Sequence, residues 1–418
     1  MAYFYKDGKL KLGPTENDKS FMIDIHELAE RHPGPVYIYD LDSIQLRFEA
    51  LDQALAGSQH SIHFAMKSNS HPEILKRLAS LGAGVDTVSG GEIRLALAAG
   101  VSPRKVIFSG VAKTVSEIEY ALGNEIKQIN VESVQELERI AQIAERMGKT
   151  ADVAFRLNPD VNPKTHPYIT TGFRENKFGI VEDAIPDLLA ILARSKKSLR
   201  LRGLTMHIGS QLFDLAVIQE AIEKTIVVHR SLLAKGFALD RIDIGGGLGV
   251  VYESDNETSE FEAIRAYGKM ATQVTKGLGV EILTEPGRIL VARSGILVTR
   301  IQYIKKTPAK TFAIVDTGMH HLLRPALYGA KHRILPLSLK AGPKQNYDVA
   351  GPICESSDFI GKNIELPELT QGDMLAIADT GAYGFVMASH YNAHELPAEI
   401  VLSRLDQRQD SRNSFVIP

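Results

Sequence analysis

Short runs rich in apolar and β-branched residues recur along the first two thirds of the chain. They alternate with segments whose apolar residues return at helical spacing, such as 73–80, 92–100 and 134–148. Strands that alternate with helices in this way are typical of parallel βα units. The predicted strands cover residues 61–69, 82–89, 105–110, 127–133, 152–159, 201–210, 241–249 and 280–287.

A helix-start pattern directly follows four of these strands. A Ser or Thr precedes a Glu by three positions, as in a capping box, where each side chain accepts a hydrogen bond from a backbone N–H at the helix start. A glycine then closes each helix. The four pairs are Ser70/Glu73, Ser89/Glu92, Thr114/Glu117 and Ser133/Glu136, and the closing glycines are Gly82, Gly100, Gly123 and Gly148.

Eight strand–helix units predict an α/β fold with a TIM-like (β/α)8 barrel, although strand count alone leaves a doubly wound open sheet as the alternative. Two segments fall outside this pattern. Residues 3–13 alternate around Asp7 and Gly8, a strong hairpin turn signal. After about residue 290 the helical spacing stops, and runs typical of antiparallel strands follow. We therefore predict three parts: an N-terminal segment at 1–35 whose hairpin joins the β domain, a barrel at 36–290, and a second, mainly antiparallel β domain at 291–418.

Composition narrows the class of protein. The chain has 418 residues, of which 44% are hydrophobic and 23% charged, and its formal net charge is −2. This balance is ordinary for a globular enzyme and gives no sign of a nucleic-acid partner. The N-terminus lacks the apolar core of a secretory signal, and the apolar run at 184–193 is too short to span a membrane. With one cysteine and no internal disulfide, we expect the protein to be cytoplasmic, without a membrane partner.

Candidate chemistry lies at the ends of the predicted strands, because active sites of (β/α)8 barrels form at the carboxyl ends of the strands. Phosphate groups bind such barrels in the loops after the seventh and eighth strands, where glycines let backbone N–H groups approach an anion. The strand-end residues are Lys67, Asp86, His207, Ser210, Gly245, Gly246, Gly247, Glu285, Gly287 and Arg288.

Each of these residues has a simpler explanation when it is taken alone. Lys67 could be an exposed lysine, His207 a histidine of the core, and the three glycines a tight turn. A partly desolvated lysine, however, is a nucleophile that can bond to an aldehyde, and Glu285 at a barrel end needs a cationic partner. An amine, an anion cradle and a carboxylate on one rim are the groups that hold pyridoxal 5′-phosphate (PLP), and no metal site is predicted.

Eight motifs, in order along nearly the whole chain, resemble those of the fold type III PLP-dependent decarboxylases. The match is closest to the branch of that family that acts on diaminopimelate, and a segment at 162–179 is also similar. The motifs are HFAMKSN (63–69), GVDTVSGGE (84–92), MHIGSQ (206–211), DIGGGLGV (243–250), TEPGR (284–288), RPALYGA (324–330), GPICESSD (351–358) and DTGAYG (379–384).

The resemblance implies a role for each matching residue around the cofactor. Lys67 would carry the cofactor, His207 would stack on its ring, Glu285 would pair with the ring nitrogen, and Asp86 would lie nearby. The catalytic residues implied are Lys67, His207 and Cys354. The residues implied around the phosphate are Ser210, Gly245, Gly246, Gly247, Gly287, Arg288 and Tyr383, and those implied for substrate are Arg288, Arg324, Tyr328, Glu355 and Tyr383.

The same resemblance implies an obligate homodimer, because the loop with Cys354 and Glu355 would enter the active site of the second subunit. Cys354 would act as a general acid there, whereas a lone cysteine is otherwise most often a small buried hydrophobe. The implied reaction converts meso-2,6-diaminopimelate to L-lysine and carbon dioxide, the last step of lysine biosynthesis. Glu355 stands where relatives acting on ornithine or arginine have Asp, which favours a substrate with a distal carboxylate and leaves a decarboxylase of another basic amino acid as the alternative.

Some positions depart from the family pattern. Phe64 and Ser68 flank Lys67 where Tyr and Ala are more usual, and His320 and His321 stand where Asn- or Asp-like residues are usual. The tail at 405–418 also differs. None of these residues has an implied chemical role. A PLP-binding barrel without activity and a PLP-free phosphate-binding barrel are further alternatives, which the β domain and the set of catalytic residues disfavour.

Overall fold

The computed structural model describes residues 2–13, 22–161, 177–252 and 257–403. Most of the segment at 162–179 and the whole tail at 405–418 therefore lie outside the described residues. Two compact units are interleaved along the sequence. One contains 47–250 and 256–289, and the other contains 1–46, 251–255 and 290–418. Within the described ranges, none of the helices is long and apolar enough to cross a membrane.

The chain begins with a hairpin and two short strand–helix pairs. Asp7 and Gly8 both have positive φ, 52° and 72°, as the hairpin turn requires. The elements are β1 (Ala2–Lys6), β2 (Lys9–Gly13), β3 (Ile23–Asp24), α1 (Ile25–Glu30), β4 (Val36–Asp40) and α2 (Leu41–Leu55). The backbone N–H of Leu10 donates to the carbonyl of Leu337 at 2.8 Å, so the hairpin packs on the β-rich unit.

Eight parallel strands of the described chain form a closed barrel, which confirms the predicted fold class. The last strand pairs with the first, Ile282 opposite His60, and this closure excludes the open-sheet alternative. The strands are β5 (His60–Ala65), β6 (Gly84–Thr87), β7 (Val106–Phe108), β8 (Gln128–Val131), β9 (Ala151–Leu157), β10 (Leu199–Met206), β11 (Arg241–Asp243) and β12 (Glu281–Thr284).

Helices follow the barrel strands and cover the outside of the barrel with their apolar faces. In α6, for example, Leu137, Ile140 and Ala144 are buried while the intervening polar residues face solvent. These helices are α3 (Pro72–Ser80), α4 (Gly90–Ala98), α5 (Val115–Gly123), α6 (Val134–Met147), α7 (Ile185–Arg194), α8 (Leu215–Ala234) and α9 (Glu257–Val274). The short α10 (Arg288–Val291) follows the last barrel strand.

Three of the four predicted helix caps are confirmed. Ser89, Thr114 and Ser133 each accept a hydrogen bond from the backbone N–H three residues on, and only Thr114/Glu117 forms the full reciprocal box. The prediction that Ser70 caps α3 is wrong. The side chain of His71 caps this helix instead, because Pro72 takes the first helical position and the cap is the residue before it. Gly82, Gly100 and Gly148 follow their helices with positive φ, as predicted. Gly123 is instead the last residue of α5, and the positive φ after that helix, 52°, belongs to Glu125.

The other unit is built on a mainly antiparallel sheet. Its central strand, β13 (Gly295–Lys306), pairs with β4 and β18 through its buried first half and with β14 through its second half. The remaining elements are β14 (Thr311–Val315), α11 (Arg324–Tyr328), β15 (Ile334–Pro336), β16 (Lys344–Ala350), β17 (Phe359–Pro367), β18 (Met374–Ile377) and β19 (Ala398–Leu402). The sequence did not indicate β15 and β17.

The hairpin side chains complete the core of this unit. Leu10 and Leu12 pack with Val36, Ile38 and Ile296, all of them buried. The strand β4 pairs with β13 and β19, so residues 36–40, which we had grouped with the barrel, lie in this sheet. The first 46 residues of the chain therefore contribute to the β-rich unit before the barrel begins.

The confirmed caps lead to a stability prediction. Replacing Ser133 with Ala removes the acceptor for the N–H of Glu136 at the start of α6, and we expect a loss of about 1 kcal/mol in unfolding free energy. Ser102 precedes a short turn without a side-chain capping bond, so Ser102→Ala is the matched control. Denaturant unfolding of both variants tests the prediction, and equal losses would contradict it.

Candidate active site

The first candidate residue lies just beyond the first barrel strand. Lys67 is in a single 3₁₀ turn, Met66–Ser68, that follows β5. Its Nζ lies 3.3 Å from Asp86 Oδ2, and 38% of the lysine side chain is exposed against 1% of the aspartate. Asp86 Oδ1 is buried and has no hydrogen-bond partner among the described residues. The pair is therefore an accessible amine held against a buried carboxylate.

Two further carboxyl groups converge at the same end of the barrel. Glu285 follows β12 and Asp243 ends β11, and both are buried. Burial, then the nearby charges of Asp243 and Asp86, raises the pKa of Glu285 well above its usual range. Burial also raises the pKa of Asp243 to about 6. Asp243 Oδ2 is buried without a hydrogen-bond partner among the described residues, so the two carboxyl groups form an acidic pair that favours protonation.

His207 lies beyond the end of β10 with its ring orientation fixed. The N–H of Gly246 donates to His207 Nδ1 at 3.4 Å, so the ring proton is on Nε2. Burial, followed by the positive charges of Lys67 and Arg156, lowers the pKa of His207 well below its usual value. The imidazole is thus neutral near Lys67, as a ring that stacks on a cofactor would be.

The three consecutive glycines are required by close packing of the loops. A Cβ at Gly245 would overlap the carbonyl oxygen of Met206, one at Gly246 that of Glu285, and one at Gly247 that of Gly209. Two of their amides are engaged within the site, because Gly245 N–H donates to Asp243 Oδ1 at 2.8 Å and Gly246 N–H to His207. The phosphate contact implied for this run stays a prediction.

Ser210, Gly287 and Arg288 are also brought together at this end. Arg288 begins α10 and donates from Nη2 and Nε to Ser210 Oγ at 3.0 and 3.3 Å. Gly287 packs tightly against Ala65 and Ser68, beside the turn that carries Lys67. The loops after the first, sixth and eighth strands are thus tied to one another.

Several polar residues near the site escaped the sequence analysis. Asn130 Nδ2 donates to Ser109 Oγ at 3.0 Å and lies 3.5 Å from Glu285 Oε1. Glu132 accepts from Arg156 Nη1 at 2.9 Å and from the N–H groups of Gly110 and Gly179. The alternation of Gln128 and Asn130 within a buried strand was the available signal, since both side chains face the barrel interior.

The remaining candidates belong to the β-rich unit. Cys354 is exposed, so the alternative that it is a buried hydrophobe is wrong. Asp358 organises its loop, because its two oxygens accept from the N–H groups of Met319 and Ile353 at 2.6 and 2.7 Å. The neighbouring Glu355 is also exposed and accepts from the hydroxyl of Tyr391 at 2.5 Å. The loop presents the thiol and the carboxylate side by side.

Arg324, Tyr328 and Tyr383 lie elsewhere in the same unit. Arg324 is buried at the start of α11, Tyr328 is half-buried at the end of that helix, and Tyr383 is half-buried with a positive φ of 56°. His320 and His321 are buried with ring centroids 3.6 Å apart, and His320 is 4.7 Å from His394. Both unusual histidines thus form a packed cluster within the β-rich unit.

The barrel residues fit PLP by their chemistry. Lys67 supplies an amine for the aldehyde, and the buried carboxyl groups of Glu285 and Asp243 suit a cationic ring nitrogen. The unpartnered Asp86 Oδ1 and the excess of buried acid over base are costly unless a cation joins them. Among the described residues, no group of three or more His, Cys, Asp or Glu side chains is arranged to hold a metal ion.

Comparison with known proteins decides the family. Residues 41–292 match the family model described as "Pyridoxal-dependent decarboxylase, pyridoxal binding domain". This chain belongs to the pyridoxal-dependent decarboxylases. The family resemblance and the PLP cofactor expected from the motifs are thereby confirmed.

Relatives within this decarboxylase family are similar over most of their length. A diaminopimelate decarboxylase of Vibrio cholerae is 42% identical over 380 residues, which cover 91% of this chain and 90% of the relative. One from Aquifex aeolicus is 39% identical over 419 residues, covering 99% and 96%. The crystal structure of the Helicobacter pylori diaminopimelate decarboxylase complexed with L-lysine matches with a TM-score of 0.85 at 43% identity, covering 90% and 93%.

The acidic pair of this decarboxylase predicts a pH effect on the cofactor-free protein. The pKa of Asp243, about 6, lies above the value of 3.8 for an unperturbed Asp. The stability it contributes is therefore complete below about pH 4 and is lost as the pH rises through 6. We expect the unfolding free energy to fall on the order of 1–3 kcal/mol between pH 5 and 7 through this group.

Asp243→Asn tests this effect because an Asn oxygen can still accept from Gly245 N–H. The variant should show a smaller change in thermal midpoint between pH 5 and 7 than the wild type, whereas Asp187→Asn, at an exposed carboxylate, should keep the wild-type change. The comparison between variants cancels the other titrating groups. An identical pH dependence in Asp243→Asn and wild type would contradict the prediction.

Proposed function

We propose that this chain catalyses the PLP-dependent decarboxylation of meso-2,6-diaminopimelate to L-lysine and carbon dioxide. The observation that carries the proposal is the convergence of Lys67, Asp86, Asp243 and Glu285 at the mouth of a barrel of this family. Curated relatives about as long as this chain, 39–44% identical to it, are diaminopimelate decarboxylases. The alternative, action on a different basic amino acid, has no such support.

The direct experiment is to incubate the purified protein and PLP with meso-diaminopimelate and to measure lysine and carbon dioxide. Equal amounts of the two products are expected. L-Lysine and L-ornithine, which lack the distal carboxylate, serve as competing substrates. Faster decarboxylation of either one would overturn the substrate assignment while leaving the reaction class intact.

In this proposal Lys67 holds the cofactor and moves protons near it. When bound, PLP supplies an electron sink for the electrons left behind as carbon dioxide departs. The Asp86 carboxylate, 3.3 Å from Lys67 Nζ, keeps the ammonium form of the free lysine close to the barrel mouth. His207, neutral and oriented by Gly246, offers a flat ring face at the same mouth.

Glu285 is proposed to keep a proton at the ring nitrogen of the cofactor. Its Oε1 accepts from Asn130 Nδ2 at 3.5 Å, which ties the side chain to the neighbouring strand β8. A negative charge there stabilises a protonated ring nitrogen, and the protonated ring is the stronger electron sink. The residue therefore favours decarboxylation.

Glu285→Gln tests that role, because the amide keeps the shape of the side chain and removes its charge. We expect turnover to fall about a hundredfold or more, with PLP still bound through Lys67. Turnover is measured by carbon dioxide release and PLP content by absorbance. Wild-type turnover in a fully loaded variant would reject the role of Glu285.

Cys354 and Glu355 are proposed to act in the active site of a second subunit, which makes the enzyme an obligate homodimer. Support comes from their exposure on this chain and from the loop that Asp358 holds in shape. There Cys354 would deliver a proton to the product, and Glu355 would bind the distal ammonium of the substrate. An exposed reduced thiol fits the cytoplasm, where we place the enzyme.

Subunit mixing tests the shared site. Lys67→Ala and Cys354→Ala should each be impaired, whereas a mixed dimer contains one site with both native residues. Random exchange should then restore about a quarter of wild-type activity. Absence of restoration, in mixed dimers demonstrated by differently tagged chains, would place the whole site within one chain.

A further inference from the structure

Arg324 is held on two sides by aromatic residues of its own unit. The arginine is 4% exposed at the first turn of α11. Its guanidinium lies over the ring of Tyr252, 4.3 Å from the ring centroid. In addition, Arg324 Nη1 lies 2.8 Å from His332 Nε2. These contacts join three sequence segments, around 252, 324 and 332, at one guanidinium.

The protonation state of His332 follows from its second contact. His332 Nδ1 lies 2.9 Å from the carbonyl oxygen of Ala378, and a carbonyl oxygen only accepts. Nδ1 therefore carries the proton of the ring. Nε2 of the neutral ring is then an acceptor, and Arg324 Nη1 donates to it. His332, which is 5% exposed, is thus bonded through one ring nitrogen to Ala378 and through the other to Arg324, and this holds the guanidinium in place relative to Ala378.

Tyr252 also contacts His332, so the three side chains brace one another. The two rings meet edge to face, with centroids 5.1 Å apart and planes at 67°. The tyrosine face fixes the plane of the guanidinium, and the histidine nitrogen fixes its rotation within that plane. The tyrosine contributes the face of its ring and the histidine a ring nitrogen, so neither of these two contacts brings a carboxylate against the guanidinium.

An arginine binds a carboxylate with two parallel hydrogen bonds more tightly when neighbouring side chains already hold its guanidinium in the correct orientation. The side chain has several rotatable bonds, and ordering them on binding costs affinity. The planar fork matches a carboxylate only when its orientation is correct. A guanidinium that is already oriented before the substrate arrives binds the carboxylate more tightly.

We propose that Tyr252 and His332 are positioning residues that orient Arg324 for the distal carboxylate of the substrate. The pair thereby sets the preference for an amino acid with a second carboxylate over one without it. This inference rests on the proposed function and on the substrate-binding role that the family resemblance implies for Arg324. It extends that function to two residues that carry no role in the family motifs.

The test compares two ligands that differ at the distal end. D-2-Aminopimelate has its single amine at the reacting carbon and keeps the distal carboxylate, whereas D-2-aminoheptanoate has the same chain length and ends in a methyl group. Dissociation constants for both are read by rapid mixing from the absorbance change of PLP in the loaded enzyme. His332→Phe keeps a ring beside Tyr252 and removes the acceptor, and we expect it to weaken aminopimelate binding about tenfold or more.

Aminoheptanoate binding in His332→Phe should change less than about twofold, because this ligand has no distal carboxylate and only the contact to that carboxylate has been altered. His332→Gln supplies one acceptor and one donor and should restore most of the aminopimelate affinity. Tyr252→Leu should reproduce the selective loss, and Tyr252→Phe, which keeps the ring face, should not. The two variant pairs give independent readings if one protein folds poorly.

Equal weakening for both ligands, or no rescue by Gln, would mean a structural role and would overturn the inference. Turnover of diaminopimelate is measured separately in the wild type. A wild-type enzyme that makes lysine while its variants keep full dicarboxylate selectivity refutes the positioning role alone. An enzyme that does not make lysine, but whose variants lose that selectivity, refutes the proposed function and supports the positioning role.

Discussion

The barrel mouth depends on the repulsion among three buried carboxyl groups. Asp86, Asp243 and Glu285 lie close enough for each to influence the protonation of another, and Lys67 is the cation beside them. Buried charges of one sign are costly unless a partner neutralises them. A cofactor with a protonated ring nitrogen supplies the missing positive charge. Binding of PLP and stability of the barrel mouth are therefore linked. The repulsion that destabilises the cofactor-free protein is relieved on binding and so contributes to the affinity for PLP.

The loops around this cluster are shaped by steric limits as much as by ligand binding. Gly245, Gly246 and Gly247 face carbonyl oxygens of neighbouring loops too closely for any side chain. Because the amides of Gly245 and Gly246 already bond to Asp243 and His207, the glycine run serves first to bring the acidic pair and the histidine together. These two bonds weaken the prediction that all three glycine amides bind the phosphate.

The sequence predicted what depends on local pattern and missed what depends on distant contacts. Strand–helix alternation and strand-end chemistry led to the barrel and to Lys67, Asp86 and Glu285, while the domain limits and residue roles stay predictions. The prediction of a cap at Ser70 was wrong because Pro72 begins the helix and makes His71 the capping residue. Asn130 was missed because only barrel closure brings β8 opposite Glu285. The short β15 forms by pairing with the distant β18 and carries no local signal.

The buried charged groups at the barrel mouth and at Arg324 have opposite sign, and this difference bears on the choice of substrate. The barrel unit gathers buried acid beside one lysine, which suits a cationic ring. The β-rich unit braces the Arg324 cation with a neutral imidazole and a tyrosine face, which suits an anion. Diaminopimelate carries a second carboxylate at the end remote from the reacting carbon, whereas L-lysine or L-ornithine reacting as a substrate does not, so discrimination between these substrates requires a group that recognises that anion. A preoriented arginine meets this need, because it binds the distal carboxylate of diaminopimelate and finds no such group in an amino acid that reacts at its only carboxylate.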